Sequence, residues 1–104
     1  MSDKIYTVDE IKAIAAPIAQ NYGVAAFYLF GSYIRGEATS QSDIDFHVNR
    51  GKMIDLLDLG GLYSDLEDRF QKKKVGVLTT QMLTDKFLSG IRSKEVLLYA
   101  QPIT

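Results

Sequence analysis

Apolar positions change period several times along this chain, and each change marks an element. In "TVDEIKAIAAPIAQNYG", Thr7 to Gly23, the residues Ile11, Ile14, Ala15 and Ile18 share one face at helical spacing. Thr7 and Glu10 stand in capping-box spacing, and Gly23 is placed to stop the helix. Pro17 falls inside the pattern and is expected to kink the helix or start a second segment. "VAAFYLF", Val24 to Phe30, is apolar throughout, the pattern of a strand covered on both faces. A turn-rich stretch follows, with one helical turn expected near Ser32 to Arg35.

"DIDFHV", Asp43 to Val48, then alternates strictly. Asp43, Asp45 and His47 point one way, while Ile44, Phe46 and Val48 point the other. "MIDLLDLGGLYSDLEDRF" reads as a long helix with Leu56, Leu59, Tyr63, Leu66 and Phe70 on one stripe. Its Gly60-Gly61 pair weakens it and permits a close backbone approach. "KVGVLT", Lys74 to Thr79, is a third strand. "TQMLTDKFLSGI" is a short helix with Thr80 as its cap, and "KEVLLYA" is a final apolar segment of either type. The order α-β-(turn)-β-α-β-α predicts a single α/β domain over residues 1–104, with a small, largely buried sheet packed by helices.

Composition narrows the chemistry. The 104 residues suit one domain with a modest core. There is no cysteine and only one histidine, His47, which excludes a disulfide framework and argues against a zinc cluster. A formal charge of -1 offers no general pull on nucleic acid, so no direct nucleic-acid partner is expected. No apolar run approaches the ~18 residues of a membrane span, and the polar start carries no signal region, so a cytoplasmic location is expected.

The chemistry concentrates in "FGSYIRGEATSQSDIDF", Phe30 to Phe46. Asp43 and Asp45 leave the same face of a strand with Cα atoms roughly 6–7 Å apart. Unpaired charges there are costly, and two such carboxylates repel unless a cation lies between them. Hard oxygen ligands favour Mg²⁺, which takes its remaining ligands from water and phosphate. Gly31-Ser32 leaves the preceding strand where backbone N–H groups can approach an anion, and the Ser32 hydroxyl adds a donor or a metal ligand. A grip on phosphate beside metal-binding carboxylates points to a nucleoside triphosphate. Gly-Ser alone is an ordinary turn and Asp-Ile-Asp alone fits a solvated edge strand; together, after an all-apolar strand, they fit neither well.

"GSYIRGEATSQSDIDF" resembles the signature of the minimal nucleotidyltransferases of the DNA polymerase β superfamily, in which Gly-Ser precedes Asp-x-Asp by a ten-residue spacer. Arg35-Gly36 and Ser42 match the fuller form of that signature. The helix with its internal proline, "KVGVLT" and the ending "VLLY" extend the likeness over nearly the whole chain. The resemblance implies the polymerase β-like fold with a small mixed sheet. It implies that Asp43 and Asp45 hold Mg²⁺ and are the catalytic pair. Gly31 and Ser32 grip the triphosphate of ATP, with Arg35 and Ser42 also on the nucleotide-binding side. The implied reaction is in-line attack of a hydroxyl on the α-phosphate, with release of pyrophosphate.

One position departs from the family. A third acid usually stands in a Val-Asp-Val-like run on the next strand, and here that run is Val75-Gly76-Val77. Val75 and Val77 belong to the core by period, so Gly76 faces Asp43 and Asp45. General-base assistance contributes roughly 10²–10⁴-fold, which leaves a slow enzyme, one borrowing a base from its partner, or a nucleotide-binding pseudoenzyme. Restoring the acid, Gly76→Asp, is expected to raise transfer more than about tenfold. His47 reads as a structural hydrogen-bonding residue or a catalytic one, and Lys72-Lys73-Lys74 as a solvated run leading into the strand or, alternatively, a contact to nucleotide or partner.

Such short members resemble the MntA-like antitoxins of HEPN/MNT toxin–antitoxin modules. The implied activity is adenylylation (AMPylation) of a tyrosine on a HEPN ribonuclease toxin, within a hetero-oligomer. The alternative is a catalytically impaired antitoxin that neutralises its toxin by binding. Transfer to a small molecule such as an aminoglycoside normally needs a further domain.

Overall fold

The computed structural model describes residues 4–51, 55–71, 73–92 and 94–102. Its elements run α1 (Val8–Tyr22), β1 (Ala26–Phe30), α2 (Ser32–Arg35), β2 (Ile44–Asn49), α3 (Leu56–Arg69), β3 (Val75–Thr79), a 3-10 turn (Thr80–Met82), α4 (Asp85–Arg92) and β4 (Val96–Ala100). The strands form one four-stranded sheet in the order β3-β2-β1-β4. It is mixed, as expected: β1 runs antiparallel to β2 and β4, and β2 runs parallel to β3. The final apolar segment is therefore an edge strand.

Helix α1 opens with the full capping box. The Glu10 amide donates to Thr7 Oγ1 at 3.0 Å, and the Thr7 amide donates to Glu10 Oε1 at 2.9 Å. It closes on Gly23, whose φ of 70° no β-carbon opposes. Pro17 does not start a second segment, since α1 runs through it from Val8 to Tyr22. Pro17 and Ala13 both lie on the exposed side, so the carbonyl that loses its partner can turn to water. Helix α3 is capped by Asp55, which accepts the Asp58 amide at 2.9 Å. Met53, Ile54, the Leu56 side chain and Lys72 lie outside the described residues.

The alternation of β2 sets the core. Ile44, Phe46 and Val48 are completely buried, with Phe27 and Leu29 of β1 beside them. Ile11, Ala15 and Ile18 of α1 and Leu62 and Leu66 of α3 cover this face. Leu62 was absent from the expected stripe and is buried with it. Phe46 links the layers, stacking on Phe27 at 4.9 Å between ring centroids and leaning on Phe70 at 6.0 Å.

The other face differs from the expectation of a sheet covered on both sides. Tyr28 and Phe30 of β1 stay partly exposed there, paired with His47 and Asp45. The connection from β3 to β4 must travel from one sheet edge to the other. Its two ends, Thr80 and Glu95, both reach His47, so it covers this face at His47. Thr80 therefore does not cap the short helix expected here; Thr84 caps α4, accepting the Phe87 amide at 3.2 Å.

Candidate active site

Two strand ends and the turn between them bring the expected residues together. β1 ends at Phe30, directly paired with Asp45. Gly31 then takes φ 83° and ψ -151°, a combination reserved for glycine, and starts the single turn of α2 at Ser32. A second constraint acts on the same atom: a β-carbon on Gly31 would lie 2.6 Å from Asp45 Oδ2. The turn and the carboxylate are thus in contact, and only glycine permits it.

On the opposite side of Asp45, β3 supplies Gly76 as its register partner. A β-carbon there would stand 2.8 Å from Asp45 Oδ1. Gly76 faces the carboxylate as the alternation required, and the Asp45 side chain sits in a slot between two glycines. Any side chain at position 76 would require the Asp45 carboxylate to turn. Burial raises the Asp45 pKa above the ordinary carboxylate range, and the neighbouring Asp43 charge raises it further. The Arg35 guanidinium acts in the opposite direction. Asp43 lies one residue before β2, half-buried and near enough for its charge to act on Asp45.

The spacer between the two halves of the motif is built from its own side chains. Ser42 Oγ accepts the Thr39 amide at 2.8 Å, which closes a turn just before Asp43. Arg35 Nε donates to Glu37 Oε1 at 2.7 Å on the surface, spanning the end of α2. Both side chains thus shape the loop around the carboxylates. Lys73 holds this loop from below, donating from Nζ to the Ser40 carbonyl at 3.0 Å. It is only 5% exposed, which corrects the reading of Lys72-Lys73-Lys74 as a solvated run. Lys74 alone of the two described lysines is exposed.

His47 continues the Asp45 face and is buried. Its Nδ1 lies 2.9 Å from Glu95 Oε2 and its Nε2 lies 2.8 Å from Thr80 Oγ1. A carboxylate only accepts, so Nδ1 carries a proton. Tyr28 stacks on the ring at 5.2 Å between centroids. With both nitrogens occupied, the ring ties β2 to the two ends of the β3–β4 connection, which favours its structural reading. Glu95 and Thr80 lie 48 and 33 residues away in sequence, and no local pattern announces the pairing. A groove of about 520 Å³ between α1 and α3, lined by Pro17 and Asp65 among others, lies on the helical side of the sheet.

The Asp45 carboxylate at the start of β2 thus stands against a glycine turn at the end of β1, with Asp43 just before it. A sequence profile described as polymerase beta nucleotidyltransferase matches residues 12–103. The chain belongs to this nucleotidyltransferase family. It is 40% identical over 86 residues to a Methanocaldococcus jannaschii protein named as a candidate protein adenylyltransferase, MJ0435. That match covers 79% of this chain and 91% of that protein. Among solved structures, a candidate minimal nucleotidyltransferase superposes with a TM-score of 0.76 at 22% identity, over 88% of this chain and 95% of that one. The MNT antitoxin structure in complex with a tri-AMPylated HEPN toxin from Shewanella oneidensis superposes with a TM-score of 0.66 at 16% identity. It covers 88% of this chain and 71% of that chain. The polymerase β-like fold is therefore the fold of this chain.

Proposed function

We propose that this nucleotidyltransferase is a Mg²⁺-dependent protein adenylyltransferase that moves AMP from ATP to a tyrosine of a HEPN ribonuclease toxin, and so acts as its antitoxin. The observation that carries the reading is the contact of Asp45 with the Gly31 turn, which joins a cation-binding carboxylate to a phosphate-binding backbone. The named function of the archaeal relative and the AMPylated toxin in the Shewanella oneidensis complex support the acceptor class.

The donor set fits the ion: Asp43 and Asp45 offer hard carboxylate oxygens and the site contains no soft ligand. When bound, Mg²⁺ supplies positive charge that screens the triphosphate and polarises its α-phosphate. The chain's own residues do the positioning. The Gly31-Ser32 turn receives the phosphates through backbone N–H groups and the Ser32 hydroxyl. Asp43 and Asp45 fix the cation-binding corner one strand away. The acceptor oxygen attacks the α-phosphorus, the bond to the bridging oxygen breaks, and pyrophosphate leaves. The acceptor's proton passes to water or to a group on the acceptor protein, since Gly76 has no side chain to receive it. A phenol, with a pKa of about 10, releases that proton more readily than an aliphatic alcohol.

Incubation of the chain with its HEPN partner, ATP and Mg²⁺ tests the reading by intact-mass spectrometry. The expected product is toxin heavier by one or more AMP groups on tyrosine; toxin of unchanged mass defeats it. Gly76 also motivates a second reading, neutralisation by binding alone. Under that reading the Asp43→Asn, Asp45→Asn double variant still protects cells from the toxin; under the first it does not.

A further inference from the structure

We infer that this chain holds a single divalent cation with its nucleotide, because Gly76 removes the ligand that a second cation on the acceptor side would need. The inference rests on the reading above and concerns the number of ions in the same site. Paired cations in phosphoryl-transfer sites sit roughly 3.5–4 Å apart and clamp the attacking and the leaving oxygens. Each Mg²⁺ demands near-octahedral oxygen coordination, so a second ion must find protein oxygens beyond those that hold the first.

The surroundings of Asp45 can be searched residue by residue. On the β3 side the register partner is Gly76, whose missing β-carbon would lie 2.8 Å from Oδ1. On the β1 side Oδ2 faces the Gly31 backbone, where a β-carbon would stand at 2.6 Å. Further along β2 comes His47, with both ring nitrogens committed to Glu95 and Thr80. Glu95 is spent on that same pair, and Glu37 is held on the surface by Arg35. Among the described residues, no group of three or more His, Cys, Asp or Glu side chains could hold a metal ion. Asp43 and Asp45 are left as a two-carboxylate set, sufficient for one ion completed by phosphate and water.

The consequence is a restriction on the acceptor. With no cation of its own to lower its pKa, an attacking hydroxyl must ionise readily by itself or bring its base along. The missing side chain at position 76 thus selects phenolic acceptors over aliphatic ones.

The test counts ions. The full chain is dialysed to equilibrium against Mn²⁺ and a non-hydrolysable ATP analogue, and retained Mn²⁺ and nucleotide are both measured, Mn²⁺ by paramagnetic resonance. One Mn²⁺ per retained nucleotide is expected for the native chain. Two for Gly76→Asp and one for Gly76→Asn are expected, since the amide fills the same space without the charge. Two Mn²⁺ per nucleotide in the native chain overturn the inference. A Gly76→Asp variant that retains nucleotide as tightly as the native chain, so that the turned Asp45 still serves its cation, but with a single Mn²⁺ also overturns it, because position 76 would then not set the count. Failure of the native chain to retain any nucleotide defeats the proposed function itself, and the inference with it.

Discussion

The two faces of the sheet obey different rules. On the helical face Phe27, Leu29, Ile44, Phe46 and Val48 are fully buried and belong to one hydrophobic cluster. On the other face, residues one step away along the same strands are Tyr28, Asp45, His47 and Gly76. There a carboxylate is half-buried between glycines and a histidine is satisfied by residues far off in the chain. The first face is arranged for stability. The second keeps a carboxylate partly out of water at the site of the proposed chemistry. The stability of β2 therefore comes from its even-numbered residues, and its chemistry from its odd-numbered ones.

The sharpest way to break that division is to remove the keystone of the stable face. Phe46 contacts both Phe27 and Phe70, joining β1 to the segment after α3. Phe46→Ala is expected to cost about 3–5 kcal/mol, the usual range for truncating a buried aromatic. Urea unfolding followed by circular dichroism measures it. A loss within about 0.5 kcal/mol, the size of a typical surface change, would place the core elsewhere.

A substitution one position away should act in the opposite direction. Burial and Asp43 raise the Asp45 pKa, so the folded state binds a proton that the unfolded chain has released. The stability supplied by the protonated form is fully present below the unfolded pKa of about 3.9 and is lost as pH rises through the higher folded value. At neutral pH the ionised group opposes folding. Asp45→Asn is therefore expected to raise the melting temperature of the metal-free chain at pH 7. The gain should shrink toward zero as pH falls to about 3.5, below the unfolded pKa. In the same variant AMP transfer should fall by roughly a thousandfold, on the scale of losing a metal-directed contact worth several kcal/mol. Scanning fluorimetry across pH gives the first quantity. A pH-independent gain, or a loss, would show that the carboxylate is not held against its own charge.

The comparison also shows what one-dimensional reading can reach. Alternation along Asp43 to Val48 settled which side chains face the core and made Gly76 a neighbour of Asp45, because a strand has only two faces. The Thr7–Glu10 box and the Gly23 stop were legible because caps are local. Lys73 was not: its carbonyl partner lies 33 residues back in a loop with no periodicity. Nor was the burial of His47, which depends on where the β3–β4 connection crosses the sheet. That α1 continues through Pro17 was not legible, because the cost of the proline depends on whether the freed carbonyl meets solvent, and the period alone does not say which way Ala13 points. Thr84 was passed over for Thr80 although both precede a helical run; Thr80 is the one that reaches His47.

The smallest expected effects separate two glycines that look alike in sequence. Gly60 and Gly61 are adjacent in α3. A β-carbon at Gly60 meets nothing within 4 Å, whereas one at Gly61 would lie 2.7 Å from Tyr22 Oη. That hydroxyl donates to Asp65 Oδ2 at 2.7 Å, linking α1 to α3. Gly60→Ala should gain about 0.5–1 kcal/mol from reduced backbone freedom in the unfolded chain. Gly61→Ala receives the same gain but must push Tyr22 off Asp65, and a hydrogen bond to a charged group contributes roughly 1.5–3 kcal/mol. Its net effect should be destabilising. Repeating both substitutions in a Tyr22→Phe background discriminates the cause. The penalty at Gly61 should largely disappear there, because the oxygen at 2.7 Å is gone and only ring carbons at 3.2 and 3.3 Å remain to give way. An undiminished penalty would place the tightness of the α1–α3 contact in the backbone instead of the tyrosine.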